Sequence, residues 1–256
     1  IFPSDALDVH MGALDLECTA CHTTTDLKIL GRLMPDNYTV DPAEQVSCTQ
    51  CHSQQLHEDE RINAHVDAVA CQTCHIPSLA VKDPTKTYWD WSTAGRDVAE
   101  DHYTYLKIKG SFIYQTDVKP TYLWYNGNLS YRYLLGDRID PAQPTFINVP
   151  AGTIDDPTAR IFPFKVHVAN QPYDAIYRYL LQPITAGENG YWTNFDWDQA
   201  FRLAVPITGL EYSGKYDFAE TWMYWPTPHM VQPPESALQC TDCHAENGRL
   251  DWETLG

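Results

Sequence analysis

Every cysteine in this 256-residue chain belongs to one repeated pattern. The sequence reads C-x-x-C-H four times, at Cys18–His22, Cys48–His52, Cys71–His75 and Cys240–His244. This is the attachment signature of a c-type haem. The two cysteines add to the haem vinyl groups as thioethers, and the following histidine reaches the iron from the proximal side. The four motifs use all eight cysteines. A zinc site would pair two C-x-x-C knuckles and would not need a histidine after every second cysteine. A disulfide framework would not repeat one spacing. The reading is therefore four covalently attached haem c groups. Their thioether residues are Cys18, Cys21, Cys48, Cys51, Cys71, Cys74, Cys240 and Cys243, and their proximal iron ligands are His22, His52, His75 and His244.

Four haems constrain the fold. A haem is a large apolar plate, and stacked haems replace much of an ordinary side-chain core. The sequence predicts a haem-cored α+β chain with little regular secondary structure: short helices and a small antiparallel hairpin around stacked haems. Three motifs crowd residues 1–80, the haem-dense segment. Residues 81–256 form an aromatic-rich segment with the hairpin, short helices and the fourth haem. The net charge of −17, before haem propionates are added, disfavours nucleic acid and anionic membrane surfaces as partners. No apolar run approaches the roughly 18 residues of a spanning helix. Ile1–Asp5 lacks the charged and apolar regions of a leader. Because covalent haem is attached after export, we expect a mature chain whose leader was removed, in the periplasm or outside the cell.

In chain order, His10 precedes the first motif by eight residues and is a candidate distal ligand. Residues 35–46 read as a loop and a capped short helix entering the second motif. The run from Leu56 to Val66 reads as a helix. It would carry His57 and His65 roughly 80° apart around its axis, and both are candidate distal ligands. Pro77 stops any helix after His75. Residues 82–95 read as a linker with bulky anchors. Ser111–Gln115 and Thr121–Tyr125 read as strands, and Asn126-Gly127 offers a type I′ turn into 129–135. Tyr173–Leu181 reads as a short helix after Pro172, and Asp196–Val205 as a second, ended by Pro206. His167, in an extended apolar segment, and His229, between prolines that fix its backbone, complete the candidate distal set. His102, in an acidic turn, reads as a surface residue. The tyrosines and tryptophans read as packing against haem edges and thin cores rather than as hopping stations.

The ligand count decides between functions. Six histidines lie outside the motifs, and four irons need distal ligands. Every iron can therefore be bis-histidine, which leaves no open position and suits electron transfer. A surplus histidine could also reach the haem of a neighbouring molecule. That would give a homopolymer, an extracellular cytochrome filament or nanowire. The alternative is a reductase of small sulfur or nitrogen oxyanions at one open haem, with Lys107, Lys109 and Arg132 as substrate contacts. A third reading is an electron-transfer subunit of a larger complex, docking redox partner proteins through its acidic surface.

The motif wording resembles a known family. Val69–Pro77 followed by Tyr88–Gly95 is similar to the octahaem tetrathionate reductase family of multihaem cytochromes. So are Lys109–Phe112, Leu134–Pro141, Phe162–His167, Gln171–Asp174, Tyr212–Tyr216, Met223–Pro226, His229–Val231 and Leu238–His244. The resemblance covers roughly residues 45–256 and implies the C-terminal, four-haem portion of that architecture. In that family the catalytic haem is lysine-ligated and lies in the N-terminal half. No C-x-x-C-K occurs here, so the resemblance implies an electron-relay section without the catalytic haem. Leu27 stands where the family pattern places a histidine. This implies that the first haem draws its distal ligand from farther away or from another subunit.

Overall fold

The computed structural model describes residues 3–25, 28, 29, 31, 46–53 and 55–256. Leu27 and residues 35–45 of the expected loop and helix lie outside them.

The fold is centred on one long strand. In chain order the strands are β1 (Thr24–Thr25), β2 (Lys28–Ile29), β3 (Thr85–Asp90), β4 (Tyr105–Leu106), β5 (Gly110–Gln115), β6 (Thr121–Tyr125), β7 (Leu129–Tyr131), β8 (Thr145–Phe146), β9 (Asn148–Pro150), β10 (Arg160–Asp174) and β11 (Tyr216–Pro226). The helices are α1 (Cys18–Cys21), α2 (Glu60–His65), α3 (Cys71–His75), α4 (Tyr191–Asn194), α5 (Trp197–Thr208), α6 (Cys240–His244) and α7 (Trp252–Leu255). Among the described residues, three of these helices are haem-motif turns.

β10 collects a seven-stranded mixed sheet in the order β4-β5-β3-β10-β11-β8, with β6 also on β10. β11 runs antiparallel along it from Phe164↔Pro226 to Asp174↔Tyr216. On the other side β6 pairs with 160–163 and β3 with 168–170. β10 holds two prolines, which a central strand should not tolerate. Pro163 lies before the β11 ladder begins, and Pro172 lies beyond the β3 ladder. Each therefore sits where a strand ladder runs along one side only; on the other side its carbonyl alone is used, accepting from Thr227 N–H at Pro163 and from Leu181 N–H at Pro172, so the missing N–H costs no ladder bond.

The sheet corrects three expectations. The predicted hairpin does not form. β6 pairs with β10 rather than turning back through Asn126-Gly127, and β7 pairs with β9. The expected linker at 82–95 is β3, in the middle of the sheet, followed by a 3₁₀ turn at Trp91–Thr93. Residues 173–181 are the end of β10 and a turn, not a helix. The chain is accordingly richer in regular structure than a haem core alone requires.

Helix α5 forms as its sequence dictates. The Asp196 side chain caps it by accepting from the Gln199 N–H at 3.0 Å. Trp197, Ala200, Phe201 and Ala204 recur at helical spacing and are buried, the first three against Leu181 and Tyr191. Pro206 does not end the helix. It falls in the last turn, and Gly209 (φ 71°) closes the helix by donating to the Val205 carbonyl.

Asp174 pins the far end of β10. Its side chain is fully buried and accepts from the backbone N–H groups of Ile176, Tyr177 and Ser213 and from the Ser213 hydroxyl, at 2.7 to 2.9 Å. Burial pushes its carboxyl up, but these donors outweigh it and hold the group below its ordinary value of 3.8. A depressed folded-state value means the contribution is complete above the ordinary carboxylate range and fades as pH falls through it. Asp174→Ala orphans these donors and is expected to cost about 3 kcal/mol, read as a lowered denaturation midpoint. The difference from wild type should shrink in titrations carried below about pH 4.

Candidate functional site: four facing histidine pairs

Each motif is a single turn. Cys18–Cys21 and Cys240–His244 are helical, and Cys48–Gln50 is a 3₁₀ turn capped by Ser47. α3 is the most embedded. The Ala70 N–H and Thr73 hydroxyl both donate to the Ile161 carbonyl, and Ile161 N–H donates to Ala68. Gln232 N–H donates to His75 O, and Leu238 N–H to Cys74 O. The C-terminal stretch thus lies directly on the third motif.

The motif cysteines lie near one another in sequence order. The Cys48 and Cys71 side chains hydrogen-bond to each other, which raises Cys48 and lowers Cys71. Cys21 adds a smaller upward push on Cys48. Burial raises Cys74 to about 11, with Cys243 as its next cause. The cysteines of each motif thus feel those of the next: first and second, second and third, third and fourth. All eight thiols are free of disulfides.

Opposite each motif histidine stands another histidine ring. His22 faces His229 with ring centroids 5.9 Å apart, and His52 faces His10 at 6.0 Å. His75 faces His57 at 6.1 Å, and His244 faces His65 at 6.0 Å. A coordinating nitrogen lies about 2 Å from its metal and about 1.1 Å from its ring centroid, so two imidazoles on opposite sides of one iron have centroids about 6 Å apart. Among the described residues no group of three or more His, Cys, Asp or Glu could hold a metal ion. A pair of imidazoles is incomplete for zinc but suffices for a haem iron, whose macrocycle supplies the other four nitrogens. The donor set fits haem c at all four positions.

Two of the facing rings, His57 and His65, are held from behind. His57 precedes α2 rather than sharing a helix with His65, and Asn63 holds it: its Oδ1 accepts from the His57 N–H at 3.0 Å, and its amide donates to the His57 carbonyl at 2.7 Å. Asn63 Oδ1 also meets His57 Nδ1 at 3.3 Å. His65 Nδ1 bonds the Arg61 carbonyl at 2.6 Å. A partner on one ring nitrogen fixes the tautomer and aims the other nitrogen at a metal. Burial, then the neighbouring His57 and His52, lowers His75. Burial and His22 lower His229, with Asp8 opposing them. Neutral rings are what ligation needs.

His167 is not in a facing pair. It lies mid-strand on β10, opposite Met223. Its Nε2 is buried without a hydrogen-bond partner. Burial, then Lys165 and Lys86, lowers it to about 4. His102 is exposed in a turn. Sequence reasoning did not single out Asp8 or Asn63, whose side chains hold the backbone at His10 and His57. An Asp two residues before a candidate ligand was the available signal for the first.

These features define a multihaem c-type cytochrome. The chain belongs to the bacterial cytochrome c family, whose model matches residues 86–247, and the model of cytochrome c7 and related cytochrome c matches residues 5–76. No curated protein matches. Among solved structures the chain is similar to the octaheme cytochrome c from Shewanella oneidensis, with 44% identity and a TM-score of 0.92. That match covers 100% of this chain, including residues 1–44, and 61% of the other. The chain thus spans less than two thirds of that protein's length. No helix of the described residues is long and apolar enough to cross a membrane.

Proposed function

We propose that this chain is a tetrahaem electron carrier in which every iron is held by two histidines of the same chain. The observation that carries the reading is the set of four ring pairs at 5.9–6.1 Å, one for each motif. Haem iron supplies one-electron redox chemistry when bound. The facing pairs His22 and His229, His52 and His10, His75 and His57, and His244 and His65 would hold the irons, and rings already fixed in place would let the charge change with little rearrangement. The order of the cysteine motifs supports a chain of four stations entered at either end. Ligands fixed on both faces exclude substrate, and this weighs against reduction of sulfur or nitrogen oxyanions at an open haem. The similarity of the whole chain to part of an octahaem cytochrome supports its being the relay portion of a tetrathionate-reductase-like architecture.

The proposed unit is the single chain. His10, His57, His65 and His229 each face a motif histidine within it. A filament joined by ligands between subunits would draw on His102 or His167, of which only His102 is exposed. Partners are redox proteins of basic surface, reached in the periplasm or outside the cell by salt-sensitive docking.

Intact mass and low-temperature EPR of the oxidised protein test this reading. A mass excess of four haems with four low-spin irons is expected, and His167→Gln should leave both unchanged. A stoichiometric high-spin haem would sink the carrier reading and favour the reductase. Discrete particles, rather than fibres, are expected by electron microscopy at high concentration.

A further inference from the structure

Asp8 joins two distal ligands that are more than two hundred residues apart in sequence. Its side chain is only 2% exposed. One carboxylate oxygen, Oδ1, accepts from the His10 N–H at 2.9 Å and the Met11 N–H at 2.8 Å, capping the one-turn π-helix Val9–Ala13. The other, Oδ2, accepts from the Met230 N–H at 3.0 Å. The next residue continues the junction, since Val9 N–H donates to the Val231 carbonyl at 2.9 Å.

The two segments so joined serve different irons. His10 faces His52 of the second motif, and His229 faces His22 of the first. Met230, beside His229, has φ +71°. This left-handed conformation costs a non-glycine side chain about 1–2 kcal/mol, and it persists only when its surroundings impose it. The Asp8 bond to Met230 N–H is one such constraint. At the other end the chain is packed tightly. A Cβ on Gly12 would lie 2.5 Å from the Ser4 carbonyl oxygen, so the turn bearing His10 has little room to shift.

We infer that Asp8 is a positioning residue that couples the axial ligation of the first and second haems. Resting on the bis-histidine reading, this makes the two distal ligands one mechanical unit: a movement that frees either histidine pulls on the carboxylate that anchors the other. The carboxylate also places negative charge beside two adjacent haems. It favours the oxidised, more positive iron at both, and leaves the third and fourth less affected.

The test uses the four-haem protein, with potassium cyanide as the probe of any open iron. Wild type is expected to stay low-spin and take up no cyanide. Asp8→Ala is expected to show high-spin signal from two haems and to take up about two equivalents of cyanide, with the two sites opening together. Asp8→Asn removes the charge and keeps one acceptor oxygen, for the His10 and Met11 N–H groups, while its amide nitrogen cannot accept from the Met230 N–H. The second haem should stay low-spin while two of the four reduction steps move to higher potential, a change that a merely structural role would not produce. Haem content and circular dichroism confirm that both variants fold, and Asp8→Asn carries the test if Asp8→Ala does not. Cyanide uptake by wild type would overturn the bis-histidine reading and the coupling with it. Low-spin wild type with Asp8→Ala open at one haem or none, or with all four Asp8→Asn steps unmoved, would overturn the coupling alone.

Discussion

His57→Ala is expected to turn one iron of the four into an open site and leave the other three unchanged. His57 lies 6.1 Å from the His75 ring, centroid to centroid, and is held by Asn63. No other pair depends on it. His75 sits on α3, which is bonded to β10 and to the C-terminal stretch, so the proximal side should stay in place when the distal side is emptied. EPR should then show one high-spin haem with the full haem content retained, and cyanide or nitrite should bind in one equivalent. The stability loss should be about 1–3 kcal/mol, the usual range for losing one buried contact. Asn63→Ala should act in the same direction but only in part, because the ring stays and its aim alone is loosened. An unaltered low-spin spectrum for His57→Ala would mean that another ligand serves the third haem.

Chemistry was far more legible in this sequence than architecture. The C-x-x-C-H motifs announce themselves because thioether attachment fixes both the cysteine spacing and the following histidine. Distal ligands obey no spacing rule, since an iron accepts any imidazole that folding brings to its open face. His10 and His229 could be named as candidates, but their irons could not. His10 bypasses the motif nearest to it in sequence and faces His52, and the ligand facing His22 comes from the other end of the chain. His167 looked like a ligand because a histidine among apolar residues resembles a buried metal site. Its place in the fold is a mid-strand position on β10.

The hairpin and the linker misled for a shared reason. Local turn chemistry at Asn126-Gly127 suggests a two-stranded return, yet β6 gains more by pairing with β10, where Tyr125 packs against Phe162 and Phe164. Likewise Pro84 and the polar residues before Thr85 read as linker, while β3 finds partners on both sides at 168–170 and 111–115. Non-local pairing overrode local preference in both. Pro172 read as a helix start because its position at the end of one ladder cannot be seen in sequence.

Removing the third haem is expected to be the most damaging single change. In the double variant Cys71→Ala, Cys74→Ala the covalent hold on that macrocycle is lost, and the vacancy falls where the fold is most interlocked. Residue 70 belongs to the same apolar cluster as Phe162, Phe164 and Tyr224. The α3 turn also bonds Ile161 and Leu238, and Arg249 donates to the Pro77 carbonyl just beyond it. Losing the macrocycle there should loosen contacts that reach the sheet through Ile161 and the C-terminal stretch through Leu238 and Gln232. The loss should exceed about 4 kcal/mol, the range reserved for cavities and broken networks. Thermal denaturation with haem counting by mass would measure it. The electron path should suffer as well. Cys48 of the second motif and Cys243 of the fourth neighbour the third motif, so electrons entering at the first haem are expected to lose their short route to the fourth. Cys240→Ala, Cys243→Ala supplies the contrast: it removes an end station and leaves three in sequence. Rapid-mixing reduction followed by haem absorbance should show slow, biphasic filling in the first variant and fast, single-phase filling of three haems in the second. Equal kinetics in the two would mean that the haems do not follow one another in the order of their motifs.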